Sequence, residues 1–120
     1  GYLEDVAPDG RVTYITEGML RALHRRESPE APPYRHFGPY RTYTSRDTMP
    51  LVPGEVATLR FELFTTSVRL KAGHRLRLAL AGADRPLLGL YPPQAAPTWT
   101  VHRSAPLASF VEVPMMEIRP

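Results

Sequence analysis

At 120 residues the chain has room for one domain and one modest core, and a chain of this length buries roughly two-thirds of the surface it exposes when unfolded. The absence of cysteine excludes a disulfide framework and a thiolate metal site, and it makes the cytoplasm the expected compartment. The net charge of +3 comes from fourteen arginines and one lysine against twelve acids. These charges are scattered rather than gathered in the stripe that nucleic acid requires, and neither a membrane span nor a signal peptide is expected, because no long apolar run exists.

Fourteen prolines and eight glycines suit short strands joined by turns. Residues 2–6 and 11–16 flank Pro8-Asp9-Gly10, where proline presets φ and glycine accepts a positive φ, so they read as a hairpin. Residues 19–26 fit two periods. Met19, Leu20 and Leu23 have helical spacing, while Leu20, Ala22 and His24 alternate with Arg21 and Arg25, and a strand is the reading taken. Prolines 29, 32, 33, 39, 50 and 53 then forbid a long helix, which makes residues 27–53 an extended connection between sheets.

Pro53-Gly54 turns the chain into residues 56–64, whose alternation is the clearest: Ala57, Leu59, Phe61 and Leu63 against Thr58, Arg60 and Glu62. Residues 75–81 repeat it, with Leu76, Leu78 and Leu80 inward and Arg75 and Arg77 outward. Residues 83–97 form a second long loop, and Leu87, Leu88, Leu90 and Tyr91 are expected to fold back onto the core. Strands over 98–103, with Trp99 and Val101 on one face, and over 109–113 complete an all-β, antiparallel chain. Leu59, Phe61, Leu76, Leu78 and Val101 are expected among the most buried side chains.

Residues for catalysis are missing. A nucleophile elbow needs small glycine neighbours so that the backbone can bend sharply, yet Ser28, Ser45, Ser67, Ser104 and Ser109 all lack glycine two residues to either side. His24, His36, His74 and His102 are too far apart for a helical zinc pair and read as hydrogen-bonding strand or turn residues. Asp5, Asp9 and Gly10 occupy places of a calcium loop, but Ala7 takes a ligand position and Thr16 stands where the bidentate glutamate belongs. Asp9 is better read as bonding its own turn. No catalytic, cofactor-binding or metal-binding residue is therefore assigned, and no cofactor is expected. The residues singled out are structural turn residues: Asp9, Gly10, Pro53, Gly54, Gly73 and His74.

Four stretches carry a family resemblance: Tyr2-Leu3-Glu4-Asp5-Val6 with Pro8-Asp9-Gly10-Arg11; Thr16-Glu17-Gly18 leading to Leu20-Arg21-Ala22; Pro50-Leu51-Val52-Pro53-Gly54-Glu55-Val56; and Thr66-Ser67 with Lys71-Ala72-Gly73-His74-Arg75-Leu76-Arg77-Leu78. Ala81-Gly82-Ala83-Asp84, residues 98–103, Ala108-Ser109 and Glu112 extend it. In order and spacing they resemble the C-terminal domain of the X-Pro dipeptidyl-peptidase and cocaine-esterase family of α/β serine hydrolases.

That resemblance implies a jelly-roll β-sandwich of the galactose-binding-like shape, packed on a catalytic α/β-hydrolase domain and helping to wall its active-site cleft. The Ser-Asp-His triad of that family lies outside this domain, so none of it transfers to a residue here. His74 is expected to fix the turn after Gly73. The family's domain has strands upstream of Tyr2, so the single domain at residues 1–120 is expected to be incomplete at its N-terminus and to pair with itself or with a strand-completing partner. The loop over residues 85–97 departs from the family pattern. The leading expectation is a non-catalytic accessory domain, with no nucleic-acid or membrane partner. The alternative is a free-standing carbohydrate-binding module, which an exposed coplanar set including Trp99 and Tyr91 would favour.

Overall fold

Pro8-Asp9-Gly10 reverses the chain between β1 (Tyr2–Val6) and β2 (Val12–Glu17). Gly10 sits at φ 86°, a region closed to most side chains, and its N–H donates to the Ala7 carbonyl (2.9 Å). Asp9 Oδ1 accepts the Arg11 N–H (3.0 Å), which ties the turn to the first residue after it. The antiparallel ladder runs from Val6 opposite Val12 to Tyr2 opposite Glu17, with a slip between Leu3 and Glu4 that leaves Ile15 unopposed. β3 (Arg75–Ala79) pairs antiparallel on the other side of β1, giving the order β2-β1-β3.

The computed structural model describes residues 1–84, 87–89 and 97–117, and the chain falls into two compact units, Gly1–Gly82 and Ala83–Pro120. Among the described residues there is no α-helix: β1 to β3 are joined by coil and by two single 3₁₀ turns, Ala22–His24 and Ser45–Asp47. The protein is all-β. Among its described residues the second unit has an isolated bridge between Asp84 and Leu88, a turn closed by the Leu107 N–H on the Ser104 carbonyl (3.0 Å), and a link from the Ser109 N–H to the His102 carbonyl (2.8 Å).

Register decides what each strand face carries. Leu3 and Asp5 share a face with Leu76 and Leu78, while Glu4 and Val6 share the other with Arg77 and Arg75. On the second face Arg77 donates to Glu4 directly opposite (2.6 Å), an exposed pair that solvent screens. On the first face His74 Nδ1 lies 2.8 and 2.9 Å from the two carboxylate oxygens of Asp5, its diagonal neighbour. A carboxylate only accepts, so Nδ1 carries the hydrogen. Both side chains are 14% exposed, and the pair locks β1 to the start of β3. A double-mutant cycle with Asp5→Asn and His74→Ala should return a coupling of about 1 kcal/mol or more. Additive effects in denaturant titrations would show that the contact carries no energy.

Several sequence expectations need correction. Residues 19–26 form no strand; the Ala22–His24 turn takes their place, because Ala22 is buried and no neighbouring strand offers a ladder. Residues 56–64 show the expected alternation, with Ala57, Leu59, Phe61 and Leu63 half-buried between exposed neighbours, yet they form no regular strand. Their backbone link to β2 is the Phe64 N–H on the Glu17 carbonyl (2.7 Å), reinforced by Thr16 Oγ1 donating to the Phe64 carbonyl (2.7 Å). Residues 98–103 and 109–113 likewise lack ladders.

Burial differs most. Leu76 is 38% exposed, Leu78 41% and Val101 46%, whereas among the described residues the buried apolar ones are Leu3, Val6, Ala7 and Ala22. The period-two pattern placed both leucines on one face correctly; burial additionally needs a second layer over that face. Phe61 approaches it only at one end, where it lies with Leu80 against Gly1 (3.4 Å from an added Cβ). Leu87 and Leu88 are exposed rather than folded onto a core, and Leu90 and Tyr91 lie outside the described residues.

Candidate docking interface

The six turn residues occupy three turns. Asp9 and Gly10 close the β1–β2 hairpin, and Gly73 (φ 80°) lies in the turn in which the His74 N–H meets the Lys71 carbonyl (3.2 Å). These two turns are adjacent, since a Cβ on Gly73 would lie 3.5 Å from Pro8. Pro53 and Gly54 (φ 84°) form a separate turn, closed by the Glu55 N–H on the Val52 carbonyl (3.1 Å), with the proline and the positive-φ glycine where a type II turn needs them. The His74 side chain, expected from the sequence to bond its own turn, reaches Asp5 on β1 instead.

Asp5 and His74 reproduce the orienter and base of a hydrolytic triad, but among the described residues no serine hydroxyl hydrogen-bonds to a histidine. Neither do three His, Asp or Glu side chains gather there as a metal site, and no helix is long and apolar enough to cross a membrane. What the first unit offers is a surface.

That surface is built on the connection from β2, and polar side chains give the connection its shape. Arg25 reaches the carbonyls of Ala22 (3.1 Å), Met49 and Pro50 (3.3 Å), while the Met49 N–H donates to Leu23 (2.8 Å), so the two ends of the loop are stapled together. Arg41 is buried and donates to the carbonyls of Pro39 (3.2 Å) and Arg60. Its guanidinium lies 3.9 Å from one oxygen of Glu27, whose other oxygen is 3.7 Å from Arg60. Arginine serves here as a fork that satisfies several carbonyls at once.

Asp47 accepts hydrogen bonds from Thr42 and from Thr44 (2.8 Å), and Arg46 and Arg26 lie 3.9 and 3.8 Å away. The bond from Thr42, then that from Thr44, holds the carboxyl below the usual aspartate range. A lowered folded-state value means that this network stabilises the chain above the ordinary aspartate range and ceases to do so as pH falls through the lowered value. A carboxyl titration by NMR should therefore place Asp47 below an unstructured aspartate, and Thr42→Val should raise it. An Asp47 midpoint unmoved by Thr42→Val would contradict the assignment.

Across this scaffold lie the aromatic rings. Tyr34, His36 and Tyr40 meet edge to face, with interplanar angles of 90°, 87° and 69°, Arg35 lies over the Phe37 ring at 5.3 Å, and His24 meets Tyr43 at 5.5 Å. Tyr34, Phe37 and Tyr43 nevertheless remain 60%, 60% and 61% exposed. Tyr43 holds φ 56°, a backbone state that costs a non-glycine residue about 1–2 kcal/mol. Beside it a cavity of about 230 Å³ is lined by Met19, Tyr43, Phe61 and Phe64 and equally by the polar side chains of His36, Arg41 and Glu62. The sequence reading treated this stretch as a connection; its density of arginine and aromatic residues was the available signal.

A profile of the X-Pro dipeptidyl-peptidase C-terminal non-catalytic domain matches residues 2–111. The chain belongs to that family. Relatives agree with the assignment. The chain is 53% identical over 116 residues to the "Putative serine esterase" proteins of Mycobacterium bovis and Mycobacterium tuberculosis, a match covering 97% of this chain and 18% of each relative. It is also 38% identical over 58 residues, 48% of its length, to the "Putative Xaa-Pro dipeptidyl-peptidase" of Streptomyces avermitilis, of which 8% is covered. It thus spans less than a fifth of the length of these proteins. No solved structure matches the chain.

Proposed function

We propose that this chain serves as the non-catalytic domain of a serine hydrolase acting on esters, amides or X-Pro peptides, packing on the catalytic α/β-hydrolase domain and helping to wall its active-site cleft. The observation that carries this reading is the family match over residues 2–111. The fold we infer is a jelly-roll β-sandwich, in which the three-stranded sheet is part of one layer and the half-exposed leucines of β3 await the facing layer. The outer edge of β3 is the natural place for a further strand. For the sugar-binding alternative, Trp99 is 50% exposed, as that reading requires, Tyr91 lies outside the described residues, and the rings of Tyr34, His36 and Tyr40 stand edge-on and present no common plane.

A chimera of the mycobacterial relative tests the reading. Deleting the 116 matched residues should abolish its esterase activity, and inserting this chain in their place should restore it. Full activity after the deletion would refute a role in supporting the catalytic domain.

A further inference from the structure

We draw no further inference here: the strongest candidate, the polar cavity of about 390 Å³ beside Asp47 in the first unit, carries nothing because it belongs to the network already described, in which Arg26, Arg46 and Thr42 are held on Asp47 and Glu27 is shared between Arg41 and Arg60, and nothing in it selects a ligand.

Discussion

Truncating Leu3 to alanine will lower folding stability by about 2–3 kcal/mol, the low end of the range for buried leucines. Leu3 is the buried residue at the centre of the sheet: it lies on the middle strand, opposite Thr16 on one side and Leu78 on the other. Its removal takes apolar contact from both strand pairs at once. The cost stays at the low end because Leu78 is half exposed and free to move towards the space. Leu78→Ala, by the same logic, should cost less than Leu3→Ala, since much of its surface is already in water. Denaturant midpoints for the two variants give the comparison, and a larger loss for Leu78→Ala would mean that β3, not β1, contributes the more buried leucine of this face.

Gly18→Ala will cost about 3 kcal/mol, for a different reason. Gly18 is buried just beyond β2, where Gly1 and Gly18 exchange backbone hydrogen bonds (2.9 and 3.0 Å), and an added Cβ would be driven into the carbonyl oxygen of Glu62 and within 3.0 Å of Leu63 Cα. These are backbone atoms, and no rotamer change relieves them. The crossing segment must shift, which strains the bonds from Phe64 to Glu17 and from Thr16 to Phe64. Gly10→Ala provides the contrast. Nothing lies within 4 Å of its added Cβ, so the positive φ alone opposes it, at about 1 kcal/mol. Equal losses at the two glycines would remove the close crossing as an explanation.

These two positions show what a sequence does and does not reveal. The hairpin was legible because Pro8-Asp9-Gly10 carries local turn chemistry, and the face assignments of β1 and β3 because alternation fixes side-chain direction from the backbone alone. Burial of Leu76 and Leu78 was not legible, since it depends on what lies over the face. Residues 56–64 illustrate the same limit: Leu59 and Phe61 alternate as a strand requires, but a ladder is a property of two segments, and here it reduces to the single crossing at Phe64. Residues 19–26 were ambiguous between two periods, and neither was adopted, because Arg25 instead bends the chain back to bond the carbonyls of Met49 and Pro50.

The candidate surface was the least legible part. Its prolines announced an extended connection, and Tyr34, Tyr40 and Tyr43 were visible as aromatics, but the buried Arg41 that ties Pro39 to Arg60 could not be told from a solvated arginine in a chain with fourteen of them. Long-range side-chain to backbone bonds leave no period in a sequence. The same holds for His74, whose place after a glycine pointed to its own turn, while its bond reaches Asp5 on another strand.

We propose that these residues support a hydrolase without performing its chemistry. Treating the purified 120-residue chain with a serine-directed fluorophosphonate and weighing it intact tests that claim most directly. The account predicts an unchanged mass and no turnover of p-nitrophenyl acetate or of an X-Pro anilide above buffer. A stoichiometric adduct on one of Ser28, Ser45, Ser67, Ser104 or Ser109, with turnover lost on labelling, would contradict it.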